Sequence, residues 1–136
     1  MSDVISSVLA DTGPLYAAVD TDDGQHSRAH ADLVRLVDAG FDVIVAGSTL
    51  LECYTLVVQR LGPAVARRWL NEIESGAQTV QPSLDDLTVA ANLIREQGDH
   101  SLTMFDAVFV VLSNRLSIPV WTYDERFVGM QVAAWG

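Results

Sequence analysis

Short apolar runs alternate with longer amphipathic stretches along the whole sequence, and Gly or Pro marks most of the junctions. Such alternation favours parallel strands joined by helical crossovers that cover both faces of the sheet. The expected order is β-α-α-β-α-α-β-α-α-β-α-β, an α/β chain forming a three-layer α/β/α sandwich around a short, mainly parallel sheet. Residues 4–10 read as the first strand, closed by Asp11, and Thr12-Gly13-Pro14 opens a short helix with Pro in its first turn. A second helix is expected over residues 23–39, with Leu33, Val34, Leu36 and Val37 on its apolar side and Gly40 at its end. Residues 42–46 form the next strand. Helix three opens at Ser48 or Thr49 and stops at Gly62, and Pro63 begins helix four, which ends near Gly76. Residues 78–81 read as a short strand, Ser83 caps a helix running to Gln97, and Thr103 opens a sixth reaching Leu116. Residues 118–123 read as a strand, 124–129 as a helical turn, and 131–135 as an edge strand.

The chain has 136 residues, 49% of them apolar and 19% charged. Domains run to about 100–200 residues, so one domain over 1–136 is expected, with a core large enough to offset the ordering entropy that keeps polar chains disordered. The longest uncharged apolar stretch, residues 43–51, falls well short of the about 20 residues that span a bilayer. Asp3 stands where a secretory leader needs basic residues, so no such leader is expected. The single cysteine, Cys53, cannot close an internal disulfide, which fits a reducing cytoplasm.

Acidic residues outnumber basic ones 18 to 8, for a net charge of −10, and every basic residue is Arg. A phosphate-bearing substrate must then be held by localised Arg side chains, bound cations or both, because the overall field repels it. The missing lysine excludes a P-loop and Schiff-base chemistry, and it argues against a phosphoryl receiver or aspartyl phosphatase, which need a Lys beside the phosphoryl group. No two glycines lie two residues apart, so a dinucleotide-binding turn and a nucleophile elbow are absent too.

In a parallel sheet of this kind, strand ends and the first turns of the following helices share one edge. That rule selects Asp11, Glu52, Asp106 and Asp124, each beside apolar sequence and none with an evident basic partner. Four carboxylates in a partly buried cleft repel one another unless a cation neutralises them, and oxygen-only donors suit Mg²⁺ or Mn²⁺. Each position also has a plainer reading. Thr49-x-x-Glu52 and Thr103-x-x-Asp106 have capping-box spacing, and Asp11 and Asp124 sit where turn or cap residues are common.

Asp11-Thr12-Gly13-Pro14-Leu15-Tyr16, Ser48-Thr49-Leu50-Leu51-Glu52, Leu102-Thr103-Met104-Phe105-Asp106-Ala107 and Trp121-Thr122-Tyr123-Asp124-Glu125-Arg126-Phe127 together resemble the PIN domain. In order, spacing and length the chain is similar to the small bacterial PIN proteins that serve as ribonuclease toxins of VapBC-type toxin–antitoxin pairs. The resemblance implies that Asp11, Glu52, Asp106 and Asp124 hold Mg²⁺ or Mn²⁺, with the Thr122 hydroxyl beside them. It also implies an RNA substrate, a small antitoxin that covers the cleft, and a homodimer. Thr12 and Asp99 are placed around the ligands, Asp99 because many relatives carry an acid there. Gly13 departs from the Ser or Asn common in the family at that position.

Other residues carry weaker signals. His26 and His30 lie four apart, as zinc ligands can, but lack a motif or a cysteine partner, so packing or a surface role is the simpler reading. His100 lies near helix six, where it could meet a phosphate. Arg60, Arg67 and Arg68 fit either phosphate contacts or a solvated helical face, and Cys53 reads as a small buried residue rather than a nucleophile. Trp69, Trp121 and Trp135 suit packing better than base stacking, and apolar helices three and four, with Trp69, point to a dimer face. Two other functions fit the same residues: a catalytically weak PIN-fold protein-binding module, and a PIN ribonuclease of RNA processing outside a toxin–antitoxin pair.

Overall fold

The computed structural model describes residues 6–97, 102–130 and 132–136. Four parallel strands, β1 (Ser7–Ala10), β2 (Asp42–Ala46), β3 (Gln78–Val80) and β4 (Val120–Trp121), form one sheet in the order β3-β2-β1-β4. Register pairs Leu9 with Ile44 on one side and with Val120 on the other. The chain steps outward from β1 through β2 to β3 and then returns to the opposite side of β1. The strand order therefore reverses between β1 and β4, and in open α/β sheets the crevice outside the carboxyl ends at that point is where ligands bind.

Alternation along the strands sorts side chains into two apolar layers. Val8, Ala10, Val45 and Trp121 pack on one face with α1 (Thr12–Val19), α2 (His26–Asp38), α3 (Gly47–Leu61) and α4 (Pro63–Gly76). Leu9, Ala46 and Val120 pack on the other with α5 (Leu84–Gln97) and α6 (Met104–Leu116). The result is the expected three-layer α/β/α sandwich. Every residue of α6 from Ala107 to Ser113 is buried, as a helix apolar all round must be. Ser113 meets its buried position by donating its hydroxyl to Ile118 O at 2.7 Å.

Several elements depart from the sequence expectations. The first strand is described from Ser7, and Val4 and Ile5 lie outside the described residues. Helix α2 begins at His26 instead of Asp23, whose carboxylate accepts from Gln25 N at 2.8 Å in the turn before it. Its buried row is Ala29, Asp32 and Leu36, while Val34 and Val37 are exposed. The cause is Asp32: one carboxylate oxygen accepts from Trp121 Nε1 at 3.2 Å and from Tyr123 Oη at 2.5 Å, so a polar residue occupies the row that faces the sheet.

The strand expected over 118–123 contracts to two residues, and before its start Pro119 has no N–H to place in a ladder. The edge strand expected over 131–135 reduces to a single bridge between Val120 and Ala134, and Gln131 lies outside the described residues. Trp69 is buried in the core. Among the described residues no helix is long and apolar enough to cross a membrane.

Candidate active site

The reversal point is built from residues immediately beyond β1 and β4. Asp11 follows β1, anchors beside the other strand through its N–H to Trp121 O at 2.9 Å, and is the N-cap of α1. One carboxylate oxygen accepts from Thr12 N at 2.8 Å and the other from the Thr122 hydroxyl at 2.7 Å. Thr122 in turn accepts from Asp124 N at 3.1 Å, so one side chain ties the end of β1 to the segment leaving β4. Trp121 and Tyr123 flank Thr122 and both donate to Asp32. Asp32 thereby fixes from behind the segment that presents Thr122 to Asp11.

Glu52 reaches the same place from α3. That helix starts at Gly47 with Ala46 as its N-cap, so Thr49-x-x-Glu52 is not a capping box. Instead Glu52 Oε1 accepts the hydroxyl of Thr12, the buried residue that follows Asp11. Thr12 thus joins two carboxylates, its amide to Asp11 and its hydroxyl to Glu52. A Cβ at Gly13 would meet nothing within 4 Å, so that position faces open space.

Asp106 does form a capping box. Its amide donates to Thr103 Oγ1 at 3.1 Å, and its carboxylate accepts from Thr103 N at the same distance. Asp124 caps the 3₁₀ turn Glu125–Gly129 by accepting from Arg126 N at 3.0 Å. For these two acids the capping reading holds.

The sequence expectation of acids without a basic partner needs correction. The Arg126 guanidinium contacts Asp124 Oδ2 at 2.6 Å and Asp106 Oδ2 at 3.2 Å, with Nε 2.9 Å from Asp124 Oδ2. The site is therefore two joined pairs: Asp11 with Glu52 through Thr12, and Asp106 with Asp124 through Arg126. Among the described residues no group of three or more His, Cys, Asp or Glu could hold a metal ion as placed. Asp99 and His100, two of the sequence candidates, lie outside the described residues.

Electrostatics follow this pairing. Burial pushes the Asp11 carboxyl above its usual range, against the Thr122 and Thr12 hydrogen bonds, and the nearby charges of Asp106 and Glu52 push it further up. Hydrogen bonding to Arg126 holds Asp124 below the ordinary carboxylate value. Cys53, beside Glu52, has its thiol pushed up to about 12, chiefly by burial and then by the charges of Glu52 and Asp11, so it is no nucleophile.

The remaining candidates have plain structural roles. His26 Nδ1 lies 2.7 Å from Ala17 O, and the Arg60 guanidinium stacks on the Tyr16 ring at 5.1 Å. Arg67 and Arg68 are exposed on α4, and Trp121 and Trp135 meet edge to face at 6.4 Å. His30 is exposed.

No curated protein matches the sequence at a significant level. Among solved structures, the chain is similar to Mycobacterium tuberculosis VapC20, described as a sarcin-ricin loop cleaving toxin, at 18% identity and a TM-score of 0.81, covering 94% of this chain and 98% of that one. VapBC2 from Rickettsia felis, bound to a DNA fragment from its promoter, matches at 11% identity and a TM-score of 0.74, covering 94% and 96%. A toxin–antitoxin complex from Klebsiella pneumoniae matches at 15% identity and 0.65, again covering 94% and 96%. At these identities the likeness is one of fold. The family model of the PIN domain matches residues 8–132, nearly the whole chain, and on that match the chain belongs to the PIN domain family.

Proposed function

We propose that the chain is a divalent-metal-dependent endoribonuclease that hydrolyses RNA phosphodiester bonds, and that it is the toxin of a toxin–antitoxin pair. What supports this reading is that Asp11 lies at the strand-order reversal and feels the charges of both Asp106 and Glu52, while Arg126 joins Asp106 to Asp124. The donors are carboxylate oxygens with threonine hydroxyls beside them, the chemistry of a Mg²⁺ or Mn²⁺ site. A cation, the Arg126 guanidinium, already lies against two of the four acids. The residues therefore fit such an ion by donor type and by charge, and Asp11, Glu52, Asp106 and Asp124 would hold it. Once bound, the ion supplies charge stabilisation for the phosphodiester undergoing displacement and a more acidic water.

The chain's own groups prepare that site. Thr122 and the Thr12 amide each use one lone pair of Asp11, and a carboxylate has about four, so Asp11 keeps capacity for a ligand. Capping bonds fix the orientations of Asp106 and Asp124 on rigid turns.

The antitoxin reading draws support from a second feature. A trough of about 660 Å³ between α1, α2 and α4 is lined by apolar side chains including Leu15, Leu33, Phe41, Val65 and Ile73, and its charged lining is mainly acidic, with Asp20, Asp22, Asp42 and Glu72 against Arg68. A partner segment with an apolar stripe and basic flanks suits it, and a homodimer completes the assembly. The test is cleavage of transfer and ribosomal RNA with Mn²⁺ or with a chelator. Wild type should cut only with metal and Asp11→Asn should not cut; cleavage that persists in the chelator would overturn the mechanism. A protein that binds an antitoxin yet cuts none of these RNAs would be the binding module instead.

A further inference from the structure

We propose that Arg126 is a resident counter-cation: it holds Asp106 and Asp124 together and must leave them before a divalent ion can bind, so that metal loading is a cation exchange within the chain. The inference rests on the reading that these two acids are metal ligands, and it adds a residue that opposes the metal.

The geometry is specific. Asp106 begins α6 and Asp124 leads into the 3₁₀ turn, so two negative charges from different elements face a common space. The guanidinium satisfies both at once, with Nη2 at 3.2 Å from Asp106 Oδ2 and 2.6 Å from Asp124 Oδ2, while Nε spans both Asp124 oxygens at 2.9 and 3.1 Å. Forked contacts of this kind are the ones arginine makes best. A divalent ion held by Asp106 and Asp124 would draw on the same two carboxylates that accept the fork. A +2 ion placed beside a +1 guanidinium on those carboxylates meets like-charge repulsion, so the two occupants exclude each other.

Exposure shows which partner moves. The Arg126 side chain is 47% exposed, against 16% for Asp106 and 29% for Asp124. The carboxylates are also pinned by their caps, whereas the guanidinium ends a long, partly exposed side chain. Because Arg126 lies two residues from Asp124, its effective concentration at the site is set by the chain and does not dilute away. Partly exposed ion pairs are individually weak, so the arginine tunes metal affinity without abolishing it. Apparent affinity falls by the fraction of molecules in which the carboxylates are clear, and a tenfold preference for the closed pair weakens the metal about tenfold.

The experiment is calorimetric titration of Mn²⁺ into the full chain as wild type, Arg126→Gln and Arg126→Lys, with melting temperatures read with and without Mn²⁺. Arg126→Gln should bind Mn²⁺ about tenfold more tightly than wild type, and Mn²⁺ should raise its melting temperature by more. Arg126→Lys, which keeps the charge and loses the fork, should fall between them, and it reports the same ordering if the glutamine variant does not fold without metal. Equal or weaker Mn²⁺ binding by the variants, with wild type binding normally, overturns the exchange and leaves the metal site standing. Absence of Mn²⁺ binding in every form overturns the exchange and the metal site together.

Discussion

Thr122 donates its hydroxyl to Asp11 across the gap between β4 and β1 at 2.7 Å, joining the two strand ends at which the order of the sheet reverses. Asp11 is partly buried among like charges, so the bond lowers the cost of keeping it ionised. Thr122→Val keeps the shape and removes the donor. It should destabilise the fold by about 1–2 kcal/mol, the usual cost of stranding a buried polar group, and push the Asp11 carboxyl further up. Thr122→Ser should stay close to wild type in both respects. Thermal melts, with NMR titration of the Asp11 carboxyl, check both effects.

Asp86 supplies a pH test away from the cleft. It forms a capping box with Ser83 and a forked pair with Arg115 at 2.8 and 2.9 Å, and the Arg115 bond holds its carboxyl below the ordinary value of 3.8 despite burial. The unfolded chain then binds the proton more readily, so this stabilisation is complete above pH 3.8 and is lost as the pH falls through the lower, folded value. Asp86→Asn should melt below wild type at pH 6, and the gap should narrow as the pH drops below 3.8. A gap that is constant with pH would contradict the assignment.

Cys53 is fully buried and its thiol is pushed up to about 12. At pH 8 it should react with an aromatic disulfide reagent only as fast as the protein opens, and at once in denaturant. Fast labelling of the native protein would show that the α3 packing beside Glu52 is wrong.

How much of this was readable in advance depended on whether the signal was local. Asp11 and Asp124 could be placed just beyond strand ends, and Asp106 in the first turn of a helix, from local sequence signals alone. Glu52 could not be told from a cap, since that required knowing that α3 starts at Gly47 rather than at Thr49. Arg126 was missed because an i, i+2 pair does not face itself on an α-helix, and only the 3₁₀ turn brings the guanidinium back over Asp124 and across to Asp106. Asp32 was invisible for another reason: its partners Trp121 and Tyr123 lie about ninety positions away, and a buried Asp breaks the apolar period that defines a helix face. The strand expected over 118–123 reads well as apolar sequence, but Pro119, without an N–H for the ladder, precedes its observed start at Val120.

Asp106 is where the central claim meets its plainest rival, because its carboxylate closes a capping box and also faces the other acids. Asp106→Asn keeps an oxygen able to accept from Thr103 N and removes the charge. The measurement is RNA cleavage in Mg²⁺ or Mn²⁺ by wild type and Asp106→Asn, using transfer and ribosomal RNA, with melting temperature as the control for folding. The account predicts a variant that melts within a few degrees of wild type and cuts at least about a hundredfold more slowly. Wild-type cleavage by folded Asp106→Asn would make Asp106 a helix cap and nothing more, and would contradict the nuclease mechanism at its centre.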